Sequence, residues 1–86
     1  MRKPIIHLNG SSKASLIKVY EQAAFAIGES VDYLQDTAPD SRDYYVSPDP
    51  TAFSEATKEH LARMEKLNSV MKEMDEMIEY LYDLPE

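Results

Sequence analysis

The 86-residue chain contains no cysteine, which removes disulfide staples, thiolate zinc sites and thiol nucleophiles at once and suits a reducing compartment. Long apolar runs are missing too. The longest uninterrupted stretches fall far short of the ~20 residues that cross a bilayer, and no signal-peptide pattern follows Met1, so a cytoplasmic protein without a membrane partner is expected. Histidine is confined to His7 and His60, far apart in sequence, and no His-x-x-x-His, Glu-x-x-His or inward-facing carboxylate spacing supports a metal. Glu59 directly precedes His60, so on a helix the two point in different directions. No serine sits in a nucleophile elbow or beside a partnered base. No catalytic residue, metal or cofactor is therefore assigned.

Positive charge is also scarce. The net charge of −7 argues against a duplex nucleic acid as partner, because such binders gain most of their affinity by neutralising phosphates with Lys and Arg. The charge is unevenly placed: Arg2, Lys3, Lys13 and Lys18 crowd the start, whereas Glu73, Asp75, Glu76, Glu79, Asp83 and Glu86 crowd the end. In an antiparallel hairpin these ends meet, and their complementarity is accounted for by structure and solubility as readily as by binding.

What is present is helical periodicity. Leu16, Tyr20, Ala23, Ile27, Val31 and Leu34 recur at spacings of three and four, widened by Ile17 and Ala24. This pattern predicts helix 1 over about 12–36, opened by the Asn9-Gly10 turn and the hydroxyls of Ser11 and Ser12, and closed ahead of Pro39. Gly28 lies inside the pattern, where it either permits close approach of a neighbouring helix or is a tolerated weak spot. A second, longer run through Phe53, Thr57, His60, Met64, Leu67, Met71, Met74, Ile78 and Leu81 alternates fours and threes without a slip. It predicts helix 2 over about 50–84, with Asp49-Pro50 as its start and Pro85 as its stop.

The connector, 37–49, is overlong for a helical hairpin. Ahead of helix 1, Pro4 to Leu8 is a short extended candidate, and the surplus length of helix 2 is expected to be covered either by Ile5 to Leu8 folding back over Ile78, Leu81 and Leu84 or by a partner subunit. The expected fold is thus all-α: one domain, 1–86, forming an antiparallel helical hairpin with a short extended N-terminal segment. A core of this size is marginal alone, and helix 2 reads as apolar enough for two neighbours, so assembly into a four-helix bundle or larger homo-oligomer is expected.

Binding chemistry gathers in three places. Asn9, Ser11, Ser12 and Lys13 stand at a helix N-terminus, where free amides and the helix dipole favour an anion such as phosphate, although an ordinary cap uses the same residues. In the connector, Arg42 suits two-pronged grip of a phosphate or carboxylate, and Tyr44 and Tyr45 offer flat faces to a base. Adjacent tyrosines seldom face the same way, so one anchors the loop and the other is free; alternatively Arg42 pairs with Asp43 and both rings pin the loop. His60 and Arg63 share a face of helix 2, with His60 either setting register in the seam or lining a pocket floor with Arg63. The N-terminal turn and the connector lie at opposite ends of helix 1, so a single pocket joining them requires an antiparallel pair of subunits.

The segments His7-Leu8-Asn9-Gly10-Ser11-Ser12, Arg42-Asp43-Tyr44-Tyr45 and His60-x-x-Arg63, in this order, resemble a set of short proteins encoded by tailed phages and prophages. That resemblance implies a protein of the infected bacterial cytoplasm and carries no catalytic role. More loosely, the chain is similar in size and style to helical phage proteins that oligomerise and sequester nucleotide signals of antiphage immunity, of the Thoeris and CBASS type. The analogy implies a non-enzymatic sponge for a small phosphorylated nucleotide-like ligand held between subunits. An adaptor docking on a phage structural or host regulatory protein is the alternative, and a hydrolase cleaving such a signal stays open.

Overall fold

A computed structural model describes residues 1–85. Two helices make up the regular structure: α1, Lys13–Gln35, and α2, Ala52–Asp83. Between them the connector contains one 3₁₀ turn, Ser41–Asp43. The helices pack antiparallel as a hairpin, and the described residues contain no strand. None of the helices is long and apolar enough to cross a membrane.

Each helix start has its own local cause. Ser12 caps α1: its Oγ accepts from the Ser15 backbone N–H at 3.1 Å, and the Ser15 hydroxyl donates back to the Ser12 carbonyl at 3.0 Å. At α2 the cap position is Thr51, which makes no side-chain cap bond. Asp49 instead accepts from the Thr51 backbone N–H at 2.9 Å and from its hydroxyl at 2.7 Å. This Asx turn holds Pro50 and Thr51 outside the helix, so α2 starts at Ala52.

The buried core sits at the end where the chain termini meet. Leu81 is fully buried with Ile17 and Met77, and Leu16, Tyr20, Tyr80 and Leu84 pack around them. Fully burying a leucine contributes roughly 1.5–3 kcal/mol, so this cluster anchors the hairpin. Val31 is buried farther along α1. Midway, Gly28 faces α2: a Cβ there would lie 3.2 Å from the Met71 methyl. The glycine thus marks a point of close helix approach.

The register overturns one expectation. Lys13 Nζ donates to the Leu84 carbonyl at 2.6 Å, so the start of α1 is level with the end of α2. The surplus of α2, 32 residues against 23, therefore lies at the connector end, an overhang of about 14 Å at the helical rise. The connector, not the N-terminal segment, accompanies it, with Tyr44 packed against Phe53 at 6.1 Å between ring centroids.

The N-terminal segment is irregular, not a strand. It is tied to α2 through polar contacts: the Tyr80 hydroxyl donates to the Pro4 carbonyl at 2.9 Å, and the Lys3 ammonium lies over the Tyr80 ring at 5.3 Å. Ile5 and Leu8 do not cover α2. They are 81% and 102% exposed, because a backbone anchored at Pro4 by a hydrogen bond leaves those side chains pointing away.

The hairpin is long and thin. It measures 63 × 20 × 19 Å with a radius of gyration of 19.1 Å, where a compact chain of this length has about 12 Å. Its accessible surface is 6744 Å², against roughly 5,200 Å² for a compact monomer of the same mass.

Candidate functional site

At the level end of the hairpin, the turn before α1 closes over the last residues of α2 and leaves a recess of about 390 Å³ lined by Ile6, Ser12, Lys13, Ala14, Ile17 and Tyr82, with Pro85 at its edge. This falls within the usual size of small-molecule sites, about 300–1,000 Å³. The walls are mostly apolar. Polar groups enter from one side, at Ser12 and Lys13.

Lys13 is the structural hinge of this end. Its ammonium donates to the Leu84 carbonyl and reaches the Tyr82 carbonyl at 3.5 Å. α2 has no basic residue in its own last turn, so Lys13 supplies from across the hairpin the positive charge that a helix C-terminus favours. An ammonium carries three donors. Two are directed at carbonyls here.

The turn itself is built by His7 and Gly10. The Gly10 N–H donates to the His7 carbonyl at 3.2 Å. The imidazole lies so close that a Cβ on Gly10 would stand 2.7 Å from its Nε2, so any other residue would push the exposed ring aside. His7 was missed among the candidate site residues; its i, i+3 spacing to Gly10 is the only trace of this packing in the sequence. Asn9 and Ser11 are exposed beside it.

Tyr82, also missed, forms the wall opposite Ser12. Its hydroxyl donates to Glu21 Oε2 at 3.2 Å, tying α2 to α1 again. The negative charge of Glu21, and then this hydrogen bond, raise the Tyr82 pKa above its ordinary value. At the far end Asp49 is lowered, by the Thr51 backbone N–H first and the Thr51 hydroxyl second.

The remaining candidates lie at the connector end, separated from the recess by the length of α1, about 34 Å. Arg42 is exposed, and its Nε stands 3.5 Å from Asp40 Oδ2, so its local partner is Asp40 and not Asp43. Asp40 also accepts from the Arg42 backbone N–H at 3.0 Å, capping the 3₁₀ turn. The tyrosines divide their roles. Tyr44 is half-buried against Phe53, whereas Tyr45 is 79% exposed.

His60 and Arg63 do not form a floor together. His60 is 6% exposed, and its Nδ1 is buried without a hydrogen-bond partner. Arg63 stays in solvent, with Nη2 3.4 Å from Glu59 Oε2 one turn earlier. The physical reason is position: with Gly28 across from Met71, His60 sits in the part of α2 level with the connector, closed off from any open surface. No group of three His, Asp or Glu side chains among the described residues stands close enough to hold a metal ion.

Within one chain, then, the nine candidate residues form two groups: Asn9, Ser11, Ser12 and Lys13 at the recess, and Arg42, Tyr44, Tyr45, His60 and Arg63 at the connector. Comparison with family models, with curated proteins and with solved structures finds no match. The functional reading rests on this geometry.

Proposed function

We propose that the chain is a phage accessory protein of the infected bacterial cytoplasm that assembles with itself and sequesters a small phosphorylated, nucleotide-like signal between subunits, without turning it over. The observation that carries this reading is the recess beneath the N-terminal turn, of ligand size, apolar on its walls and edged by Ser12 and Lys13. A ring system suits the apolar part, and an anionic group suits the Lys13 ammonium with Asn9 and Ser11 nearby. Arg42 and Tyr45 of a second subunit, both exposed, close the site by gripping an anion and stacking on a ring. The phage origin is supported by the order of the three motifs, and self-assembly by the surplus surface of the hairpin. His60 serves register, not ligand.

The test is to denature protein purified from defence-positive cells and analyse the released small molecules by mass spectrometry. A thermal-shift panel of cyclic dinucleotides and ADP-ribose derivatives runs alongside. A released nucleotide at one equivalent per site is expected. Release of none, with no shift across the panel, sinks the sequestering function, and product formation over many turnovers replaces it with hydrolysis.

A second reading has its own observation. The connector end exposes Tyr45 and Val46 in the loop and Phe53 and Leu61 on α2, which favours an adaptor that docks on another protein. Binding of a phage or host protein that survives Arg42→Ala but not Val46→Asp is its signature.

A further inference from the structure

The two readings above make different demands on the connector. We infer that its corner, Tyr45 and Val46, is a preformed recognition loop for a basic protein segment, one that carries lysine or arginine beside apolar side chains. This rests on the second reading, that of an adaptor, and names the chemistry of its partner.

The connector is long but not loose. Asp40 Oδ1 accepts from the Arg42 N–H, and the Asp40 carbonyl accepts from the Asp43 N–H. The Ser41 carbonyl accepts from Tyr44 and Tyr45, and the Tyr44 carbonyl accepts from Ser47 at 3.0 Å, which closes a turn with Tyr45 and Val46 at its corner. Ser47 Oγ then accepts from the Asp49 N–H, and Asp49 accepts from Thr51 and Ala52. Among the described residues, every backbone N–H from Arg42 to Ala52 is bonded within this stretch except that of Val46, and Pro48 and Pro50 have none to bond. Tyr44, packed on Phe53, fastens the loop to α2.

This bracing presents two side chains. Turn corners are ordinarily Gly, Pro, Asn, Asp or Ser, whereas this one holds a tyrosine and a β-branched valine, 79% and 74% exposed. Ile5 and Leu8 are as exposed, but among the described residues their turn has a single backbone bond of its own, from Gly10 to His7. A loop ordered in advance loses less conformational freedom on binding. The apolar pair at the braced corner is therefore the better anchor.

Charge sets the occupant. From Asp36 to Thr51 the chain carries four carboxylates, Asp36, Asp40, Asp43 and Asp49, all exposed, and one cation, Arg42, which pairs with Asp40. The next cation, Lys58, lies about 140° round α2 from Phe53, the residue on which the loop packs. Phosphate, on a membrane surface or a nucleic acid, is repelled by this set. So is the connector of a second copy, which brings the same carboxylates. A segment rich in Lys or Arg is attracted instead, and its apolar side chains cover Tyr45 and Val46.

The probes are two labelled amphipathic peptides, one of leucine and lysine and one of leucine and glutamate, titrated with the intact chain by fluorescence anisotropy. The leucine–lysine peptide is expected to bind, more weakly as salt is raised, and the leucine–glutamate peptide is not. Val46→Asp is expected to weaken binding about tenfold or more, although it adds a negative charge, so the loss reports the apolar anchor. Arg42→Ala is expected to tighten it, because the one cation of the loop is removed while Asp40 still accepts from the backbone N–H at that position. For a sequestered nucleotide the same substitution has the opposite sign. Both variants should keep the helical circular dichroism spectrum. No binding of the leucine–lysine peptide overturns the inference, as does binding that Val46→Asp leaves unchanged or that Glu73→Gln, at the other end of α2, weakens equally. Binding of the leucine–glutamate peptide instead, lost in Val46→Asp, overturns the basic partner and keeps the adaptor. When neither peptide depends on Val46, the adaptor falls with the inference, and nucleotide release remains the separate test of sequestering.

Discussion

α1 and α2 meet along one seam, and each leaves apolar side chains outside it, in different settings. α2 turns Met77 and Leu81 to α1 and carries charges such as Lys58, Glu65, Lys72 and Glu76 around the rest, with Leu61 and Val70 exposed among them. α1 offers an equally apolar inner face and, beside it, an uncharged flank through Val19, Ala26 and Tyr33, while its charges and the exposed Phe25 share the other flank. Two helices with the same partner should have the same exposure to water and hence similar polarity. The exposed apolar residues of α1, Val19, Phe25 and Tyr33, are matched on α2 by Phe53, Leu61, Val70 and Tyr82.

The comparison breaks most sharply in the core. Leu81→Ala empties a fully buried side chain, and large-to-small changes of this kind cost about 2–5 kcal/mol, enough to remove cooperative urea unfolding from a hairpin this small. Val19→Ala, at a half-exposed position on the outer flank of α1, is expected to leave the urea midpoint nearly unchanged. Equal losses from the two substitutions at low concentration contradict the distinction between seam and outer face.

His60→Leu probes the far end of α2. The buried Nδ1 without a partner is a cost to the hairpin, and replacing it with an apolar group of similar size is expected to stabilise by about 1–2 kcal/mol, seen as a raised urea midpoint. A lowered midpoint shows that Nδ1 finds a partner in the assembled protein and that α2 is completed by another chain.

The helix starts offer a smaller contrast. Ser12→Ala removes a real cap and is expected to cost about 1 kcal/mol, whereas Thr51 makes no side-chain cap bond and is held through the Asp49 turn and a hydroxyl contact to Glu55. The Asp49 carboxylate is favoured in the folded chain, so its contribution is present above the ordinary carboxylate pKa and fades as pH falls through its lowered value.

Tyr82 gives the opposite sign. Its raised pKa means that the hydroxyl bond to Glu21 stabilises the fold fully below the ordinary tyrosine value and is lost as pH rises through the folded one. Wild type should therefore weaken in alkaline urea titrations more than Tyr82→Phe. Parallel pH profiles for the two proteins exclude the tie. The smallest effect is expected at Gly28, where alanine gains up to about 1 kcal/mol of helix propensity but crowds the Met71 methyl, a flexible group able to move. The urea midpoint of Gly28→Ala should stay close to that of wild type.

The helical hairpin was legible because apolar spacing of three and four needs only one-dimensional information. Register was not. Whether helix 2 overhangs at the termini or at the connector depends on where Lys13 reaches, and a lysine's reach across to the Tyr82 and Leu84 carbonyls leaves no periodic trace. The same holds for Ile5 and Leu8. Their hydropathy argued for burial, but a hydrogen bond from Tyr80 to the Pro4 carbonyl holds the segment and leaves both exposed.

The candidate site was legible in residue type more than in partners. Ser12 and Lys13 do line a recess, yet its walls come from Ile6, Ile17 and Tyr82, which sequence spacing cannot bring together. Arg42 was weighed against Asp43, its neighbour, while the 3₁₀ turn delivers Asp40 instead. Adjacent tyrosines posed a choice that Phe53 decides, by taking Tyr44.

The claim that the hairpin is completed by a second copy is tested most directly by unfolding wild type in urea over a hundredfold range of chain concentration. A coupled dimer gains about 2.7 kcal/mol per hundredfold by mass action, so the midpoint must climb with concentration. A midpoint that does not move contradicts the account, because it shows the single hairpin to be the whole folded unit.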